Sequence, residues 1–197
     1  MKRIILSFSL LASVLTYGQS KDYPIQSVPF TSVKLTDNFW LPRIKMNATV
    51  TIPASFERCE STGRVKNFTM AANKSGKFCT VYPFDDTDIY KTIEGASYSM
   101  SLFPDAKLDQ YIDSLIAIVG KAQEPDGYLY TARTIDPINV GAWVGKERWE
   151  KERELSHELY NAGHLYEAAA AHYISTGKRN LLDIALKNAD QIGRAHV

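Results

Sequence analysis

Residues 156–173 read SHELYNAGHLYEAAAAHY, and the fold turns on how this stretch is read. At about 100° per residue, Leu155, Leu159, Ala162, Tyr166, Ala169 and Tyr173 gather on one side of a helix, while His157, Asn161 and His164 gather on the other. The apolar side suits a neighbouring helix. The His/Asn stripe either faces solvent or lines a polar cavity, because imidazole and amide groups donate and accept hydrogen bonds to hydroxyls. Gly177 ends the helix, and NLLDIALKNADQI at 180–192 is a further amphipathic helix.

Working outward, DAKLDQYIDSLIAIVGKAQ at 105–123 places Leu108, Tyr111, Ile112, Leu115, Ile116 and Val119 at spacings of three and four, so it buries one face. DDTDIYKTIEGASYSMSLF at 85–103 opens with acidic residues suited to N-capping. Residues 59–84, rich in Gly, Asn, Ser and Lys, read as a long loop, and so do residues 124–150, broken by Pro125, Asp126, Gly127, Pro137 and Gly141 and carrying Trp143 and Trp149. Nearer the start, alternation around Val33 and Leu35 precedes a helix-start signal at 36–38, and Pro42 and Pro53 limit the helices that follow. The sum is an all-α fold, with inner helices lining a cleft and loops roofing it. Roughly six helices of this period fall short of a closed toroid, so an incomplete one is expected.

The net charge of +1 gives no electrostatic reason to expect nucleic acid or an anionic membrane. No Walker sequence or GxGxxG is present. Two basic residues before a short apolar run, MKRIILSFSLLASVLTYGQS, have the layout of a secretory signal peptide over residues 1–19, too short to span a bilayer, which predicts a secreted or periplasmic bacterial protein. Cys59 and Cys79 are either free buried thiols or a disulfide. At the other end, IGRAHV at 192–197 back-translates to a common sequencing-library adapter, so those residues are expected to be an artefact and residues 20–191 the barrel portion.

HELYN lacks the second histidine of HExxH, and His157 with His164 offers no third metal ligand along the sequence. Carboxylates are plentiful: Asp85, Asp86, Asp88 and Glu94 form one group, Glu124 and Asp126 another. A glycosidase needs two at a defined separation, which sequence spacing does not supply. N-capping and turn chemistry account for both groups equally well.

FWLPR (39–43), CESTGRVKNF (59–68), FDDTDIYKTIEGASYS (84–99), AQEPDGYLYT (122–131) and SHELYNAGHLYEAAAAHY (156–173), in this order, resemble glycoside hydrolase family 127, the β-L-arabinofuranosidase group. The resemblance runs from about Val33 to Asp190 and implies the N-terminal portion of an (α/α)6 catalytic barrel. It also implies a retaining glycosidase acting on arabinofuranose-containing plant glycans, with a zinc-bound cysteine as nucleophile and a glutamate as general acid/base. Zinc coordination depresses a thiol's pKa and positions the thiolate. The family's zinc set is a Glu-x-Cys followed by a Cys-Cys pair, and this chain has no Cys-Cys. Cys59 and Cys79 are therefore assigned no role, no catalytic residue or bound zinc is expected within these residues, and the chain alone is expected to be inactive. The resemblance makes His157 a sugar-hydroxyl contact, and Glu158, Tyr160, His164, Asp86 and Asp88 further substrate-side candidates. The alternatives are a non-catalytic carbohydrate-binding toroid and a hydrolase of a different sugar.

Overall fold

The computed structural model describes residues 25–195, so the expected leader lies outside them. Among the described residues there is no strand, and none of the helices is long and apolar enough to cross a membrane. After a 3-10 turn at Phe30–Ser32, the order is α1 (Trp40–Met46), α2 (Ile52–Ser61), α3 (Arg64–Asn73), α4 (Asp86–Leu102), α5 (Ala106–Ala122), α6 (Thr131–Thr134), α7 (Glu158–Thr176) and α8 (Asn180–Ala195). The all-α expectation holds, but the alternating stretch at Val33 and Leu35 is not a strand. Val33 is exposed, with no partner sheet to make alternation worth burying.

Local chemistry sets several helix ends. Asp37 starts α1 by accepting from the N–H groups of Phe39 and Trp40. A π-helical segment at Asn47–Thr51 carries the chain into α2, where Pro53 takes a first-turn position that needs no donor. Asp105 caps α5 by accepting from Lys107 and Leu108 at 2.9 and 3.1 Å. Gly177 closes α7 with a φ of 74°, which a side chain would oppose.

Residues 59–84 are not one long loop: α2 runs into them and α3 occupies their middle. Val65, Phe68 and Ala71 are buried at a spacing of three, and Phe68 is among the most enclosed side chains. Burial of this short face outweighs the polar residues between. Asn67, fully enclosed, then ties the following segment to α3, accepting from the Cys79 N–H at 2.8 Å and donating to Thr80 Oγ1 at 3.2 Å.

The helices pack as two layers, α4 against α7 in one, and α3, α5 and α8 in the other, with α8 joined to both α7 and α5. Ala96, Ala162, Ala168 and Ala169 are buried in the first layer, and small side chains let helix backbones approach closely. Ile93, Ile112, Ile116, Leu165 and Leu181 fill the space between layers. Burial of each contributes about 1.5–3 kcal/mol.

The buried side of α7 differs from the one expected. Leu155, Leu159 and Tyr173 are exposed, while Glu158, Asn161, Ala162, Leu165, Ala168, Ala169 and His172 are inside. Two dense neighbours cover the helix on adjacent sides, which shifts the burial arc from where hydrophobicity alone puts it. Asn161 is satisfied in part by its own helix, donating through Nδ2 to the His157 carbonyl at 2.8 Å.

Both cysteines are free thiols, Cys59 buried and Cys79 exposed. Burial raises the Cys59 thiol above its ordinary pKa. A thiol-exchange reagent at neutral pH is expected to titrate Cys79 quickly and Cys59 only on unfolding. Equal rates, or no reactive thiol, would contradict this placement.

Candidate functional site

His157 sits at the N-cap of α7 in left-handed conformation, φ 55° and ψ 36°. A non-glycine residue holds this geometry only when its surroundings over-determine it, and here they do. Ser156, just before it, is buried and its carbonyl accepts from Tyr130 OH at 2.6 Å. Just after it, the Glu152 carboxylate accepts from the N–H groups of Glu158 and Leu159 at 2.7 and 3.2 Å, doing the capping that the His157 side chain does not. The imidazole is thereby freed. It lies against Phe84, ring centroids 4.7 Å apart, and its Nδ1 is shielded from solvent with no hydrogen-bond partner among the described residues.

From His157 a polar row continues along α7 through Tyr160, His164 and Glu167, spaced by three, four and three. The expected stripe had Asn161 in place of Tyr160, but Asn161 is buried. The opposing face of α4 supplies Glu94, one of the carboxylates picked out in the sequence, with Lys91 and Tyr98, which were not, although their spacing of three and four marks one helix face. Lys91 Nζ donates to Tyr160 OH at 2.5 Å, Tyr98 OH donates to Glu94 at 3.1 Å, and His164 packs edge-on against Tyr160 at 4.5 Å. His164 Nδ1 lies 3.0 Å from Glu167 Oε2. The α4–α7 seam thus presents donors and acceptors in one line, the chemistry that hydroxyl recognition needs.

The remaining candidates lie elsewhere. Asp86 is buried rather than capping α4: one oxygen accepts from Thr131 N–H at 2.8 Å, the other from Thr131 Oγ1 at 2.5 Å. Glu158 is also buried, accepting from Tyr128 OH at 2.5 Å and Trp149 N–H at 2.8 Å. Burial raises both carboxyls, Asp86 to about 7. Asp88 is half-exposed and paired with Arg64. Asp86 and Glu158 both grip residues 124–157, the segment that roofs the site. The expected EPDG turn forms there, with Gly127 N–H donating to the Glu124 carbonyl at 2.9 Å. Arg148 then bridges the turn's two acids, 2.7 Å to Glu124 and 2.5 Å to Asp126, with its guanidinium over the Tyr128 ring.

The sequence profile of the β-L-arabinofuranosidase GH127 catalytic domain matches residues 32–196. The chain belongs to glycoside hydrolase family 127. A solved GH127 β-arabinofuranosidase is 59% identical and superposes with a TM-score of 0.83, covering 87% of this chain and 27% of that one. A GH127 β-L-arabinofuranosidase from Geobacillus stearothermophilus T6 is 38% identical at a TM-score of 0.75, covering 82% and 25%. A non-reducing end β-L-arabinofuranosidase from Bifidobacterium longum subsp. longum is 34% identical over 139 residues, which are 70% of this chain and 20% of the relative. The chain spans between a fifth and about a quarter of these relatives, so the arc of helices is one part of the family's (α/α) barrel.

The zinc-thiolate set that the family resemblance implies does not fit the residues of this GH127 portion. Glu57-Arg58-Cys59 does spell Glu-x-Cys, but Glu57 is exposed while Cys59 is buried 3.9 Å from Thr92 Oγ1. Among the described residues, Glu94, His164 and Glu167 do come together, their ligand atoms within 4.8 Å of one another. That set contains no thiolate. It needed α4 beside α7, which no spacing within the sequence reveals.

Proposed function

We propose that the full-length parent of this GH127 chain is an exported glycosidase that cleaves β-L-arabinofuranosides of plant glycans. The reaction is retaining, with the cysteine nucleophile, the glutamate acid/base and the zinc set all supplied by sequence beyond these residues. This portion contributes sugar-contacting groups on the α4–α7 seam and the loops above it. One observation carries the reading: His157 is held in a strained conformation with its imidazole released from capping and its Nδ1 without a hydrogen-bond partner among the described residues. Strain of this kind clusters at ligand-binding positions. Tyr160 and His164 extend the contact line, while Asp86 and Glu158 act at one remove by holding the roof.

His157→Asn tests this in the full-length enzyme, since Asn tolerates left-handed backbone. Losing an imidazole contact to a sugar hydroxyl is expected to lower kcat/KM on an aryl β-L-arabinofuranoside roughly 10- to 100-fold, with the melting temperature nearly unchanged. The 197-residue chain is expected to turn over none. Full activity of the variant would remove His157 from the site. Turnover by the short chain would place the catalytic groups within it.

A further inference from the structure

Residues of 76–83 and 132–144 border an open-sided cavity of about 690 Å³, whose lining includes Lys77, Thr80, Asn139 and Trp143. None of these belongs to the α4–α7 seam. Trp143 is 39% exposed, and one side of its indole is stacked on Tyr82 at 5.9 Å and 23°. Tyr82 stacks in turn on Phe84 at 5.2 Å and 18°, and Phe84 lies 4.7 Å from His157. The rings form a continuous pile from the cavity to the site histidine.

Resting on the glycosidase reading, we propose that this cavity is a second sugar subsite, which holds a unit of the same glycan beyond the arabinofuranose at His157. A sugar ring offers an apolar C–H face and an edge of hydroxyls, and the cavity offers matching partners for both. The indole supplies rigid apolar area at low entropic cost. Thr80 Oγ1 accepts from Asn67 Nδ2 and so keeps its own proton to donate. Asn139 spends its Nδ2 and N–H on Asp136 and keeps its Oδ1 to accept. The volume falls within the range of about 300–1,000 Å³ typical of small-molecule sites. The contiguous stack places the cavity next to the candidate site, within reach of a chain of sugars leaving His157.

The subsite predicts a substrate-length effect that a structural role for Trp143 would not produce. In the full-length enzyme, Trp143→Ala is expected to lower kcat/KM about tenfold on an oligosaccharide with two further units beyond a terminal β-L-arabinofuranose. The loss should sit in KM, methyl β-L-arabinofuranoside should be cleaved as before, and Trp143→Phe should recover most of it. Equal losses on both substrates, or no loss on either, would overturn the subsite. If the wild type cleaves neither substrate, the glycosidase reading fails by itself. The subsite is then decided by titrating the chain with arabino-oligosaccharides: a tryptophan-fluorescence change that Trp143→Phe abolishes supports it, and no change refutes it.

Discussion

Glu158→Ala is expected to destabilise the chain by about 4 kcal/mol, because it strands two enclosed donors at a cost of about 1–3 kcal/mol each and removes well-packed atoms. Tyr128, with 0% exposure, loses the acceptor of its hydroxyl, and the half-buried Trp149 N–H loses its one acceptor among the described residues. Trp149 itself is at φ 66°, so the bond that holds it in left-handed backbone goes as well. Glu158→Gln, similar in size and retaining one acceptor oxygen, should lose about half as much. Urea midpoints of the three proteins measure the difference. A loss below about 1 kcal/mol for the alanine variant would mean that the roof does not depend on this carboxylate.

Asp86 makes stability depend on pH in a direction opposite to that of a salt-bridged acid. Burial is the largest cause of its rise to about 7, opposed by the two Thr131 bonds and reinforced by the Asp85 and Asp88 charges. A carboxyl raised in the folded state binds its proton more tightly there than in the unfolded chain. Its contribution is therefore complete below the unfolded value near 3.8 and is lost as pH rises towards about 7. Relative to Asp86→Asn, the wild type is expected to lose roughly 3 kcal/mol between pH 5 and pH 8. Asparagine accepts from the Thr131 N–H and does not ionise, so comparison with it cancels other titrating groups, Glu158 among them. A stability difference that stays flat across this range would show that Asp86 is not buried as a protonatable group.

Legibility in the sequence followed the range of the interaction. The buried positions of α5 and the end of α7 at Gly177 depend on neighbours a turn or less away, so periodicity and C-cap chemistry reach them. Helix α3 escapes a sequence reading because its apolar face is three residues long and is worth burying only against the helices that pack on it, α5 foremost and α4 through Tyr90. The expected roles of Asp85 and Asp86 as caps were reasonable local chemistry. Thr131, forty-five residues on, is what Asp86 binds instead.

Of the candidate site, His157 could be picked out from the motif, although the periodic reading carried it inside a helix that begins only at Glu158. Its left-handed backbone could not, since that depends on Glu152 taking over the cap and Tyr130 holding Ser156. The polar row acquired Lys91, Glu94 and Tyr98 only when α4 lay beside α7.

By itself, the sequence determined the helical class, the family and the place of the aromatic segment after α5, because these are carried by local periodicity, turn residues and ordered motifs. Tertiary structure alone decided which face of α7 is buried, which acids hold the roof rather than face the cleft, and that Trp143, Tyr82, Phe84 and His157 form one pile. Each of these is a contact between segments distant in sequence. Burial, and the polar pairing it forces, is settled only when the segments meet.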